Sequence, residues 1–166
     1  MRISYTFLIL ILISSCVEVG FKLPMPPKGK ALSSVPLEII KFYSELDSIS
    51  RDSNKLTIDD FLDGKIDDKL PENSVLKYWR GNYFLNQQED SLWNIIMISP
   101  SGRSSFEIYH LDGGNEKTLE LLKNITSVEE ITDDKGELEL IIIDPTFKEF
   151  KKIIKSGAYE KVDIYN

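Results

Sequence analysis

The pattern of apolar and polar positions divides the body of the chain into a helical part, a strand-rich part and a part in which both alternate. Between Pro36 and Ile49, apolar residues recur every three or four positions, which is the spacing of one face of a helix. Thr57, followed closely by two aspartates, indicates an N-cap, and the short helix that it starts ends at Gly64. The body is therefore predicted to begin with N-terminal helices.

From Leu76 onward the apolar residues are mostly aromatic or β-branched, as is typical of strands. The predicted strands are Leu76–Leu85, Ser91–Ser99 and Ser104–Leu111. Turn-forming residues at positions 100–103 join the last two strands as a hairpin. This part is expected to form an antiparallel β-meander.

In the final third, strands and helices alternate. The predicted elements are a helix Glu116–Ile125, strands Ser127–Thr132 and Glu137–Ile143, a second helix and a strand Ala158–Tyr165. This second helix has Asp144 as its N-cap and Pro145 in its first turn, and it runs to Ser156, where Gly157 stops it. Counted from Ser104, the order is β-α-β-β-α-β, which resembles a ferredoxin-like unit, and the apolar run Leu138–Ile143 suits its buried third strand.

One conflict remains in that topology. The first strand of a ferredoxin-like unit has a neighbour on both sides, yet Ser91–Ser99 also needs it as a hairpin partner. Either the sheet is ordered differently or one predicted strand is wrong. The prediction is thus an α+β fold with N-terminal helices, a meander and a C-terminal β-α-β-β-α-β unit.

The first 15 residues have a different pattern. Arg2 is followed by a mostly apolar stretch from Ile3 to Ile13 and then by two serines. A basic start, a short apolar region and small residues are the three parts of a secretory signal peptide. The apolar stretch is shorter than the roughly 20 residues that a membrane-spanning helix needs.

The end of this segment, Ile13-Ser14-Ser15-Cys16, resembles the lipobox of bacterial lipoproteins: an aliphatic residue, two small residues and a cysteine. The resemblance implies cleavage before Cys16 and transfer of a diacylglyceryl group to its thiol. Enteric lipoproteins that stay at the inner membrane have an aspartate directly after the cysteine. Here that position is Val17, so the resemblance also favours the outer membrane. An ordinary signal peptide, or an uncleaved apolar start with a buried cysteine, is the alternative.

These boundaries predict a signal peptide over residues 1–15, a lipidated tether over 16–34 and a single domain over 35–166. Residues 17–34 contain three prolines and two glycines without periodicity, which indicates an extended spacer. The chain has 20 Lys and Arg against 27 Asp and Glu, a net charge of -7. Since the tether and the signal are basic, the acidic charge lies in the domain, which is expected to be repelled by an anionic membrane.

Composition excludes several classes of function. A net charge of -7 repels a polyanion such as nucleic acid, and no nucleic-acid partner is expected. One Cys and one His give neither a disulfide framework nor a Cys/His zinc site, and no glycine-rich phosphate loop is present, so no cofactor is predicted.

Two groups of residues invite a chemical interpretation that other observations disfavour. His110 lies two positions before Asp112 and would be the general base of a hydrolase, but no nucleophile motif accompanies it. Five aspartates suggest a calcium loop, but Phe61 occupies a ligand position and Leu70 replaces the bidentate Glu. These aspartates are Asp59, Asp60, Asp63, Asp67 and Asp68. We therefore predict no catalytic and no metal-binding residues.

Aromatic residues are concentrated between positions 78 and 93. Such residues are usually core, but exposed ones bind sugar rings or anchor a protein partner. The candidate binding surface is Trp79, Arg80, Tyr83 and Trp93. Gly81 and Asn82 suggest a bulge or turn, which favours an edge position for Trp79-Arg80-Gly81-Asn82. Three functions follow: a lipoprotein that binds another protein as an accessory, inhibitor or immunity factor, which is preferred; a glycan- or small-ligand-binding lipoprotein; and a hydrolase that uses His110.

Overall fold

The protein is described by a computed structural model that covers residues 17–42, 70, 72–102 and 105–162. It is a mixed α+β protein dominated by strands, which confirms the predicted class. The strands are β1 (Glu18–Phe21), β2 (Lys30–Leu32), β3 (Ser74–Trp79), β4 (Asn82–Glu89), β5 (Leu92–Pro100), β6 (Phe106–Leu111), β7 (Val128–Thr132), β8 (Leu138–Ile143) and β9 (Tyr159–Lys161). The helices are α1, described over residues 37–42, α2 (Glu116–Ile125) and α3 (Phe147–Ser156).

The chain folds as two compact units. Among the described residues, the first unit contains 17–21 and 111–160, and the second contains 22–42, 70, 72–102, 105–110 and 161–162. Both units therefore include residues that precede position 35.

In the first unit, β8 lies between β1 and β7. It pairs in parallel with β1, where Glu18 is opposite Leu140, and antiparallel with β7. Its apolar sequence suits this central position, because Ile141 and Ile143 are fully buried. The rings of Phe21 and Phe150 meet edge to face with centroids 6.3 Å apart, so α3 packs on β1.

The helices of the first unit begin and end at well-formed caps. The Asn115 side chain accepts the N–H groups of Lys117 and Thr118 at the start of α2. Thr146 and Glu149 form a capping box at the start of α3, and Gly157 ends it with a φ of 79°. The predicted N-cap at Asp144 is thus two residues early, because Thr146 can exchange hydrogen bonds with Glu149 three residues later.

The second unit contains the meander. Strands β2 to β6 pair antiparallel in chain order, which confirms the β-meander. The single strand predicted over Leu76–Leu85 is wrong: it is a hairpin of β3 and β4, reversed at Arg80 and Gly81, whose φ angles are 51° and 86°. The predicted hairpin of β5 and β6 is confirmed: Pro100 pairs with Phe106, and the N–H of Ser101 donates to the carbonyl of Ser105.

One face of this meander is covered by α1. Ile39 and Phe42 of the helix pack against apolar side chains of β3 to β6. These strand residues are Leu76, Leu85, Ile96, Ile98, Phe106 and Ile108. The cluster explains why α1 has apolar residues at helical spacing.

The predicted tether over residues 16–34 is wrong for the part that the structure describes. Residues 18–21 and 30–32 are strands, and Phe21 and Met25 are each only 1% exposed. The side chains of Asn86 and Lys77 form hydrogen bonds to the proline-containing segment. The Asn86 Oδ1 accepts the N–H of Met25 at 2.6 Å, and the Lys77 Nζ donates to the carbonyls of Pro24 and Pro26 at 2.9 and 3.1 Å.

The ferredoxin-like unit is not confirmed. Its topology requires β6 beside β8, but the parallel neighbour of β8 is β1. The hairpin of β5 and β6, which was in conflict with the ferredoxin-like order, is present. The sheet is therefore ordered differently, because a strand from the segment predicted as a tether takes the place beside β8.

The signal peptide, Cys16 and the second predicted helix lie outside the described residues. Among the helices that are described, none has both the length and the apolar content for a membrane span.

Asn86 provides a test of this fold. Its side chain is fully buried and also donates to the carbonyls of Phe84 and Val75, at 3.0 and 3.3 Å. Asn86→Ala leaves the buried Met25 N–H without its acceptor, and we expect the free energy of unfolding to fall by about 2–4 kcal/mol in urea titrations. Gln88→Ala, at an exposed position on the same strand, is the control and should change it by less than about 0.5 kcal/mol. Equal losses in the two variants would contradict the assigned role.

Candidate functional site

Three of the four candidate residues lie at one end of the β3–β4 hairpin. Trp79, Arg80 and Tyr83 surround the two-residue turn, and Tyr78 joins them because it lies opposite Tyr83 in the register. We call these four residues the hairpin tip. The positive φ angles of Arg80 and Gly81 are those of a type I′ turn, whose twist matches that of the two strands.

The hairpin tip has two aromatic faces. On one face the rings of Tyr78 and Tyr83 lie 5.0 Å apart, and Tyr78 is 40% exposed. On the other face the Trp79 ring is 6.3 Å from that of Phe84 and has the Arg80 guanidinium above it, 5.0 Å from the ring centroid. Arg80 is thus held as a cation–π partner at an exposed position.

Tyr83 connects the hairpin tip to a helix. Its hydroxyl donates to Glu38 Oε1 at 2.9 Å, which joins the hairpin to α1. Burial, followed by this hydrogen bond and the charge of Glu38, raises the pKa of Tyr83 to about 12. The phenol therefore remains a protonated donor at every physiological pH.

Trp93 does not belong to the hairpin tip. It lies at the start of β5 opposite Gln88, whereas Trp79 lies opposite Asn82, six residues earlier on β4. Six residues of strand span about 20 Å. The two tryptophans point to the same face of the meander but lie near its opposite ends, so the four candidate residues do not form one continuous surface.

The backbone conformation of Arg80 is unusual for its residue type. Three described residues other than glycine have a positive φ: Asn73, Arg80 and Asp90. Asn and Asp adopt a positive φ at low cost because their short side chains form local hydrogen bonds, whereas arginine adopts it at a higher cost. Residues that persist in unfavourable conformations are concentrated at functional positions, which singles out Arg80 within the tip.

The catalytic alternative gains no support from the geometry around Asp112. Its Oδ1 accepts the N–H of Gly114 at 2.9 Å, which makes it a turn residue before α2. His110 is half-buried and belongs to the second unit, whereas Asp112 belongs to the first. The five aspartates of the calcium interpretation lie outside the described residues; within those residues, no three His, Cys, Asp or Glu side chains are grouped to hold a metal ion.

Sequence reasoning did not include Tyr78 in the candidate surface, and it missed the polar contacts of Asn86, which is buried, and of Lys77, which is half-buried. Tyr78 follows once the turn at Arg80-Gly81 is recognised, because a two-residue turn places it opposite Tyr83. Asn86 and Lys77 gave no such signal, since the proline-containing segment that both bind lies more than 50 positions earlier in the chain.

We compared the chain with protein-family models, with curated proteins and with solved structures, and none of them matches it.

The turn itself yields a prediction about stability. Arg80→Asn places a residue that accepts positive φ at position 80, and we expect the free energy of unfolding to rise by about 0.5–1 kcal/mol, even though an exposed cation–π contact is lost. Asp90→Asn is the matched control, because Asp90 has a φ of 52° and is already tolerant of it. Urea unfolding of both variants measures the difference. A decrease in the free energy of unfolding for Arg80→Asn would show that the positive φ of Arg80 does not destabilise the protein.

Proposed function

We propose that this chain is a bacterial envelope lipoprotein, anchored through lipid on Cys16, whose body binds another protein. The observation that carries the anchor is the lipobox Ile13-Ser14-Ser15-Cys16 at the end of a short apolar stretch, with the only cysteine of the chain at the acylated position.

The lipid group replaces a membrane-spanning segment. Each buried CH₂ contributes about 0.8 kcal/mol, so one acyl chain binds weakly and two or more anchor stably. The protein is then attached to the membrane without crossing it, and Val17 in place of aspartate favours the outer membrane.

The hairpin tip is the proposed protein-binding surface. Trp, Tyr and Arg are the residue types that contribute most of the binding energy at protein interfaces. Arg80 is a cation displayed by an acidic body, so the partner is expected to offer a carboxylate. An accessory subunit, an inhibitor or an immunity factor acts through a surface of this kind, without catalytic residues.

Glycan binding is the second candidate, favoured by the exposed ring of Tyr78. A sugar ring stacks on an aromatic face without requiring a charged partner. Substitutions of Arg80 and Tyr78 distinguish the two candidates. Loss of Arg80 weakens a protein complex in which a carboxylate pairs with it, whereas loss of Tyr78 weakens the stacking of a sugar.

The anchor is tested by metabolic labelling with a fatty acid. In the natural host, the wild-type chain should incorporate label, and Cys16→Ala should remove it and leave the unprocessed precursor. Ser15→Ala keeps a small residue in the lipobox and serves as the control that remains labelled. Label in the Cys16→Ala variant would contradict the assigned site.

The protein-binding surface is tested by cross-linking in cells, followed by identification of the partner and an affinity measurement. Arg80→Glu reverses the charge of the tip, and we expect about 30-fold weaker binding, the effect of losing about 2 kcal/mol at a central interface residue. Lys152→Glu makes the same change at an exposed position on α3 and should leave the affinity unchanged. Equal effects of both substitutions would indicate general electrostatics instead of a specific surface.

A further inference from the structure

The residue that follows the proposed acylation site is already part of the folded first unit. The carbonyl of Val17 accepts the N–H of Gly113 at 3.0 Å, and Glu18 already pairs with Leu140 of β8. Val17 is half-buried, and Val19 is only 5% exposed. The chain is thus fixed from Val17 onward.

Gly113 makes this contact possible. It is buried, and a Cβ atom there would lie 2.8 Å from the Val17 carbonyl oxygen and 2.8 Å from Ile141 Cδ1. Such distances are too short for non-bonded atoms, so a larger residue would displace the start of β1. The close approach of the two backbones holds Val17 against the turn that precedes α2.

One peptide unit separates Val17 from Cys16, which limits the distance between their Cα atoms to about 3.8 Å. A lipid on Cys16 is therefore attached at a fixed point of the folded body, with no spacer between the lipid and the body. The predicted tether would have held the body away from the membrane, and the observed strand β1 removes that freedom.

We propose that the lipidated protein sits directly on the bilayer, with the Val17 end of its first unit against the headgroups. This proposal rests on the lipid anchor at Cys16. Because β1 and β8 run parallel, β8 begins at the same end, and the turn between β7 and β8 continues past it. The turn over residues 133–137 and the turn at Gly113 form the membrane-facing surface.

The charge of this surface determines which lipid headgroups it can contact. The 133–137 turn contains three carboxylates, of Asp133, Asp134 and Glu137, and one amine, that of Lys135. Asp133 accepts the N–H groups of Glu137 and Lys135 at 2.9 and 2.8 Å, which lowers its pKa and keeps it charged. Anionic headgroups repel such a surface, whereas zwitterionic headgroups accommodate it. The partner is a zwitterionic phospholipid bilayer.

The test compares two exposed aspartates of the first unit. Asp134 lies in the 133–137 turn, and Asp144 follows the opposite end of β8. Asp134→Cys and Asp144→Cys remove the same charge and each provides one thiol for a fluorescent label, since the thiol of Cys16 is acylated. The lipidated variants are placed in phosphatidylcholine vesicles that contain lipids with a quencher on the headgroup.

We expect stronger quenching at position 134 than at position 144, by about twofold, because β8 spans about 20 Å between them. Replacing part of the phosphatidylcholine with phosphatidylglycerol should reduce quenching at position 134, and added salt should restore it. Equal quenching at the two positions would overturn the proposed seating.

A spacer variant isolates the role of the direct connection. About ten Gly and Ser residues inserted between Cys16 and Val17 have a root-mean-square reach of about 17 Å. We expect this insertion to lower quenching at position 134 to the value at position 144. If quenching at position 134 is unchanged by the insertion, the short connection does not determine the orientation.

Vesicle flotation separates failure of the seating from failure of the anchor. Wild-type protein that floats with vesicles, while Cys16→Ala does not, shows that the lipid anchor is intact. Equal quenching in a protein that floats then rejects the seating alone. A wild-type protein that neither incorporates fatty acid nor floats rejects the proposed anchor, and the seating with it.

Discussion

The hydrogen bond from the Met25 N–H to the Asn86 side chain is the contact on which the second unit depends. It joins the segment between β1 and β2 to the middle of the meander, where Asn86 is fully buried. A buried amide is tolerated only when its donors and acceptor are used, and all three partners are backbone groups. Lys77, whose pKa is lowered by burial, donates to the carbonyls of Pro24 and Pro26 in the same segment. These prolines have no backbone N–H to donate to a sheet, so the segment is held by the two side chains.

The sequence predicted those elements whose signals are local. α2 has the predicted bounds, β8 is the predicted central strand, and Gly157 ends α3 in the left-handed conformation that glycine favours. The segment from Val17 to Leu32 was not predictable in the same way. Its prolines and glycines indicate an extended chain, and its two strands form only because β3 and β8, distant in sequence, supply their partners.

The candidate site follows the same division between local and distant information. Aromatic residues near Arg80 marked the hairpin tip, but treating Leu76–Leu85 as one strand hid that Tyr78 and Tyr83 are cross-strand neighbours. Arg-Gly is a weaker turn signal than Asn-Gly, because arginine disfavours positive φ. Trp93 is close to the tip in sequence and yet about 20 Å away, since β4 runs its full length between them.

The parallel pairing of β1 with β8 also governs when the protein can fold. Glu18 finds its partner at Leu140, more than 120 positions later. During synthesis β1 is made long before β8, so the core of the first unit cannot close early. Such long-range pairing slows folding. The first unit therefore stays incomplete until the chain has been made up to Ile143, whereas the strands of the meander find their partners between residues 30 and 111.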